Sequence, residues 1–132
     1  MKKLSFVTFL ILICFLCFCN AEEAKKVSAG DAPKAMYKKI SAEEAKTIMS
    51  ESSEYILLDV RTAEEFKERH IEGAILIPRT EIKKRAAIEL PNKDALILVY
   101  CRSGRRSSAA AQELASMGYV NVQDFGGIND WR

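Results

Sequence analysis

Residues 36–132 are predicted to form one α/β domain, a mainly parallel β-sheet with helices against both faces. Short, nearly continuous apolar runs such as Tyr55-Ile56-Leu57-Leu58 and Leu96-Ile97-Leu98-Val99-Tyr100 have the pattern of strands covered on both sides. Segments with helix caps and helix-forming residues stand between these runs, so strand and helix alternate along the chain. Asp59-Val60-Arg61 and Cys101 each close an apolar run, and ligands of open parallel sheets bind beyond the carboxyl ends of the strands.

The amino terminus is set apart from this domain. Lys2 and Lys3 precede an apolar run from Leu4 to Cys19, interrupted only by Ser5 and Thr8. Asn20-Ala21 then leads into the charged stretch Glu22-Glu23-Ala24-Lys25-Lys26. The pattern is that of a secretory signal over residues 1–21, cleaved after Ala21 with Cys19 at the −3 position, and it predicts a periplasmic or secreted protein. A retained anchor ranks behind cleavage, because about sixteen apolar residues fall short of the ~20 that span a membrane. A lipid on Cys19 ranks lower still, with bulky Phe18 before it. Residues 22–35, polar and carrying Gly30, Asp31 and Pro33, read as a flexible lead.

This division changes two counts. Of the four cysteines, Cys14, Cys17 and Cys19 lie in the signal, where the Cys14-x-x-Cys17 spacing has no redox context. Cys101 is the one cysteine after residue 21, a lone thiol in an oxidising compartment. The precursor's +2 charge rests on 20 basic and 18 acidic residues. Losing Lys2 and Lys3 brings the remainder to neutrality. Nothing then points to nucleic acid or a membrane surface, and one cysteine with one histidine make no metal site. No cofactor is implied. Roughly 111 residues suffice for one small domain with one core.

Met36–Ile40 is the first candidate strand. Ser41 caps a helix running to about Glu51, with Glu44 at the capping-box position and Ala45, Ile48 and Met49 on its apolar face. Tyr55–Val60 is the second strand. Thr62 and Glu65 form a second capping box, with Phe66 as that helix's core residue. Ala74–Ile77 is a third strand, stopped by Pro78. Thr80–Leu90 is helical, with Ile82, Ala86, Ala87 and Leu90 toward the core and Lys83-Lys84-Arg85 on a solvated face. Pro91-Asn92-Lys93-Asp94 is a turn. Leu96–Tyr100 is the central strand. Val120–Phe125 is the last, broken by Gly126-Gly127, and Ile128 to Trp131 closes the chain. Trp131 and Tyr119 read as core residues.

Residues 95–118 are the stretch on which the rest depends. A buried strand ends at Cys101, Gly104 allows a sharp turn, and Ala109, Ala110, Ala111, Leu114 and Ala115 favour a helix that Gly118 stops. Either Ser107 or Ser108 caps this helix, or the loop feeds straight into its first turn. A strand–loop–helix connection points backbone N–H groups and a helix N-terminus at one spot, an anion cradle. Arg102, Arg105 and Arg106 add three positive charges. In that setting Cys101 reads as a nucleophile with a lowered pKa; a purely structural cysteine fits the three arginines poorly.

Three blocks together resemble the rhodanese family: Leu58-Asp59-Val60-Arg61 with Glu65-Phe66 and His70-Ile71-Glu72-Gly73-Ala74; the loop Cys101-Arg102-Ser103-Gly104-Arg105-Arg106-Ser107; and Gly118-Tyr119 with Gly126-Gly127-Ile128 and Trp131. The resemblance covers about residues 38–131. Arg69 departs from it, standing where members often have Gly. It implies a five-stranded, rhodanese-like sheet flanked by helices and a thiosulfate sulfurtransferase. Its cysteine takes sulfur from an anionic donor as a persulfide and passes it to a thiol or cyanide acceptor. Carried onto this chain, Cys101 holds the sulfur and the amides of Arg102, Ser103, Gly104, Arg105 and Arg106 cradle it. Arg102 or Arg105 binds the donor. Arg106 either joins them or folds back onto an internal carboxylate. Arg61 either reaches the cradle or pairs near the helix after Thr62. Asp59 and Ser107 support the loop, Asp59 mostly in a structural role. His70, before the third strand, takes a structural hydrogen bond.

Two other functions use such a loop. A cysteine phosphatase or arsenate reductase places five residues between Cys and Arg; here that position holds Ser107, and Arg106 falls one short. A persulfide carrier that docks to a partner without efficient turnover retains every residue of the loop. A monomer or weak dimer is expected.

Overall fold

The computed structural model describes residues 36–132. The predicted signal and lead, 1–35, lie outside them. The elements are β1 (Lys38–Lys39), α1 (Ala42–Glu51), β2 (Ile56–Asp59), α2 (Ala63–Glu68), β3 (Ile75–Leu76), α3 (Ile82–Glu89), β4 (Ile97–Cys101), α4 (Arg105–Ser116) and β5 (Val122–Gly127). Single 3-10 turns at Arg79–Glu81 and Ile128–Asp130 precede α3 and follow β5. The five strands form one sheet in the order β1-β5-β4-β2-β3, and every neighbouring pair is parallel.

β4 is central and buried at all five residues, as its unbroken apolar run predicts. Its alternate side chains serve two cores. Ile97, Val99 and Cys101 pack with Leu58, Ile82, Ala86, Leu90, Ala110, Ala111 and Leu114 under α3 and α4. Leu98 and Tyr100 pack with Ile40, Ala45, Leu57, Phe125 and Ile128 toward α1. Tyr119, 2% exposed, lays its hydroxyl between Ala86 O at 2.9 Å and Leu90 O at 2.8 Å; Ala86 O already accepts from Leu90 N, so the proton is needed at Leu90 O, at the end of α3.

Both predicted capping boxes form. Ser41 Oγ accepts from Glu44 N at 3.1 Å and Glu44 Oε2 accepts from Ser41 N at 2.7 Å. Thr62 and Glu65 repeat the pattern at 3.3 and 3.1 Å.

Several expectations need correction. Gly126-Gly127 does not break the last strand; β5 runs through both, with Gly126 at φ +91°. Of the two starts left open for α4, the loop feeding straight into the first turn is the one that forms: the helix begins at Arg105 behind Gly104 at φ +96°, and neither Ser107 nor Ser108 caps it. Ala87 is exposed, so the buried stripe of α3 is Ile82, Ala86 and Leu90, one position per turn. Phe66 is half-buried and stacks on His70, ring centroids 4.0 Å apart, outside both cores. Trp131, by contrast, does pack against the α1-side core as expected, half-buried at its edge against Phe125 with Lys46 Nζ 5.3 Å over its ring. Of the run 83–85, Lys83 and Lys84 are exposed, while Arg85 is held by Glu81 at 2.7 Å and Glu89 at 2.5 Å.

Candidate functional site

Cys101 is the last residue of β4, the carboxyl end of the central strand, and it is 1% exposed. The chain must turn there at once into α4, and Gly104 in the left-handed region makes the turn. The turn carries the backbone back over the sulfur: Gly104 N–H donates to Cys101 Sγ at 3.0 Å. Ser107 Oγ, buried in the first turn of α4, is 3.6 Å from Sγ, where it accepts a hydrogen bond from the thiol and can turn its own O–H to the thiolate. Burial pushes the Cys101 thiol up. Hydrogen bonds from the Ser107 side chain and from the backbone of Ser107, Ser103 and Gly104 outweigh it and leave the pKa below the ordinary thiol value. The backbone and Ser107 thus lead in favouring thiolate, ahead of the loop's arginine charges.

The loop rests on the end of β5. Ser107 Oγ stands within donating distance of two carbonyls, Gly104 O at 3.0 Å and Gly126 O at 3.3 Å, which share its single proton. Gly127 lies so close beneath that a Cβ on it would stand 2.4 Å from Arg102 O and 2.8 Å from Ser103 Cα.

The four arginines have different fates. Arg106 folds back: its guanidinium makes a two-pronged bond to Glu65 at 2.6 and 2.8 Å, and Arg106 holds the Glu65 carboxyl down at about 2. Arg61 is 4% exposed and grips Asp59, Nη2 to Oδ2 at 2.6 Å, while also donating to Arg69 O at 2.6 Å. Arg102 and Arg105 are exposed, and no carboxylate pairs with either among the described residues. They line different hollows. Arg105 edges an open hollow of about 670 Å³ with Lys39, Ser41, Ser103, Gly104 and Asp130. Arg102 edges a niche of about 190 Å³ with Arg61, Glu65, Arg69 and Asn129. Arg61 therefore reaches the border of the loop while its charge is spent on Asp59.

Asp59 is wholly buried and accepts from Arg61 N at 2.9 Å and from the Arg61 guanidinium. It supports Arg61, and among the described residues no hydrogen bond links it to the Cys101 loop; both its oxygens are taken up by Arg61. Behind it, Tyr100 OH accepts from Ile71 N at 3.1 Å, and burial holds that phenol above its ordinary range. His70 sits away from the sulfur and its Nδ1 bonds Phe66 O at 2.9 Å.

Two contributors escape the sequence reading. Glu65 reads there only as a cap. Asp124, 0% exposed, accepts from Gly126 N at 3.0 Å. The one signal for Asp124 is an acid two residues after Val122, on the apolar face of the strand Val120–Phe125.

A family profile described as the rhodanese-like domain matches residues 41–132. The chain belongs to the rhodanese-like family. It is 42% identical over 73 residues to thiosulfate sulfurtransferase PspE of Escherichia coli (strain K12), covering 55% of this chain and 70% of that protein. A solved structure, a rhodanese with anions from E. coli, superposes with a TM-score of 0.56 at 41% identity, covering 58% of this chain and 89% of that one. The putative sulfur carrier protein YrkF of Bacillus subtilis (strain 168) is 38% identical over 93 residues, 70% of this chain. The chain spans 49% of that protein and smaller parts of other curated relatives, 23% in one case. Relationship to known sulfurtransferases supports a sulfur-transfer role for this rhodanese-like domain.

Proposed function

We propose that this chain is a thiosulfate-type sulfurtransferase that works through a persulfide on Cys101. The observation that carries the reading is the sulfur itself: the one thiol among the described residues, at the end of the central strand, bonded by the Gly104 amide at 3.0 Å and held below its ordinary pKa. The thiolate attacks the outer sulfur of the donor. A new S–S bond forms, the donor's S–S bond breaks, and sulfite leaves with the electron pair. A nucleophilic acceptor, a thiol or cyanide, then takes the outer sulfur and Cys101 thiolate is the leaving group. The cycle needs no external oxidant or reductant, and no general base once the thiolate is formed. The donor dianion and the persulfide both gain from fixed N–H donors, which require no reorganisation at the moment of reaction. Unpaired Arg102 and Arg105 favour the roles of donor ligands. Arg106, held by Glu65, and Arg61, held by Asp59, shape the loop's border. That pairing of Arg106, with serine at 107, speaks against a phosphatase.

A carrier reading has one observation behind it, the match to the putative sulfur carrier YrkF. The test covers both. Residues 22–132 and the Cys101→Ala variant are treated with thiosulfate, weighed by mass spectrometry, then given cyanide. One added sulfur on wild type, absent in the variant, and thiocyanate over many turnovers are expected. Loading without turnover selects the carrier, and no loading refutes a thiosulfate donor. Export belongs to the same proposal, supported by Lys2-Lys3 and the apolar run after them; the mass of the protein recovered from an envelope fraction checks cleavage after Ala21.

A further inference from the structure

The pairing of β4 with β5 is regular through Val99↔Asp124 and then shifts, so that Cys101 faces Gly127. Two steps on β4 are matched by three on β5, a bulge with Gly126 at φ +91°. The extra residue brings the Gly126 carbonyl to Ser107 and slides Gly127 beneath Arg102. A Cβ on Gly104 would likewise meet Gly126 Cα at 3.4 Å. The cysteine loop is therefore seated on the bulge.

Asp124 holds the bulge. Its Oδ1 accepts the Gly126 N–H at 3.0 Å, and its Oδ2 has no hydrogen-bond partner among the described residues. It shares a strand face with Val122, the face of the core that includes Cys101 and α4. A wholly buried carboxylate with one oxygen unused is costly where a buried parallel strand ordinarily takes Val or Leu. Packing does not explain it; the Gly126 bond does.

We propose that Asp124 is a positioning residue for sulfur transfer, acting through the Gly126-Gly127 bulge and Ser107 to fix the loop around Cys101. The chain of contacts is Asp124 Oδ1 to Gly126 N, Gly126 O to Ser107 Oγ, and Ser107 Oγ to Cys101 Sγ. What matters is an acceptor at Oδ1, not the charge. The inference rests on the sulfurtransferase reading only for its activity readout.

The test compares Asp124→Asn, which retains an acceptor oxygen, with Asp124→Leu, which fills the apolar slot without one. Iodoacetamide alkylation of Cys101 against pH reports the thiol directly and needs no donor. Wild type and Asp124→Asn are expected to share one midpoint, while Asp124→Leu shifts it upward by about one unit, with roughly tenfold slower sulfur loading from thiosulfate at neutral pH. An Asp124→Leu profile superposing on wild type overturns the proposal, as does Asp124→Asn behaving like Asp124→Leu. If wild type alkylates with a lowered midpoint but never loads from thiosulfate, the donor assignment fails and the positioning role is still decided by the alkylation series. Amide exchange of Gly126 in the wild-type protein decides the case in which Asp124→Leu does not fold. Protection comparable to the β4 amides is expected, and exchange at the rate of an open loop refutes the proposal.

Discussion

Glu65 does two things with one carboxylate. Its Oε2 accepts from Thr62 N to close the capping box of α2 and from Arg106 Nη1, while Oε1 takes Arg106 Nη2. The pair is about a quarter exposed, 22% on the Glu65 side chain and 32% on Arg106, so solvent screens part of the attraction. Arg106 brings the Glu65 carboxyl from 4.5 to about 2. A depressed carboxylate pKa adds stability that is complete above the unfolded value and disappears as pH falls through the folded one. Glu65→Gln is therefore expected to cost about 1–2 kcal/mol at neutral pH after allowance for screening. The difference from wild type should shrink between pH 4.5 and about 2 and vanish below that. Urea unfolding of both proteins across this range checks it; a constant difference down to pH 2 would show that the ion pair is not its source. The alternative fates of Arg106 stay open in the sequence because Glu65 and Arg106 are 41 residues apart, and only the fold brings them together.

Two glycines separate what an element needs for itself from what the site needs of it. Gly73, in the turn before β3, has φ +81°, and a Cβ added there would meet nothing within 4 Å. Gly73→Ala is expected to cost about 1–2 kcal/mol of backbone strain and to leave sulfur transfer as it was. Gly127 is the opposite case. Its backbone is extended, at φ −115°, and any L-residue can adopt it. Its Cβ, however, would drive into Arg102 O and Ser103 Cα. Gly127→Ala must lift the loop, with a cost of about 1–3 kcal/mol and a loss of sulfur loading of about tenfold or more. Thermal melts beside loading rates separate the two; a Gly127→Ala protein with full loading would mean the loop does not depend on this seat. The same contrast explains how far the sequence could be read. Ser41/Glu44 and Thr62/Glu65 are legible because a capping box closes within one turn of helix. The β5 bulge is not, because Gly126-Gly127 has the local signature of a strand end, and only pairing with β4 reveals the extra residue. Gly104 starts α4 for a related reason: the loop's need to cover the sulfur fixes where the helix begins, overriding the serines' preference for caps.

At the scale of the whole molecule, β4 divides the work between its two faces. Cys101 continues the row Ile97, Val99 and lies with α4, while Leu98 and Tyr100 face α1. The general plan is legible because a central parallel strand must be apolar on both sides, and Leu96–Tyr100 has no second interpretation of that length. Where Arg61, Asp59 and Asp124 point is not, since one residue of register decides the face of every side chain. The arrangement makes the site depend on strand ends and their hydrogen bonds more than on the volume of the far core. Leu57, 3% exposed, packs on the α1 side with Ile40, Ala45 and Leu98. Leu57→Ala should cost about 2–4 kcal/mol, a large share of the ~5–15 kcal/mol that holds a domain of this kind. The loop, seated on Gly126 and Gly127 across the sheet, should be undisturbed. Sulfur loading per folded molecule at 25 °C is expected to stay within about twofold of wild type, while the melting temperature falls by roughly 10 °C or more. Loading that drops about tenfold in protein still fully folded by circular dichroism would show instead that the α1 core sets the position of Cys101 through β4.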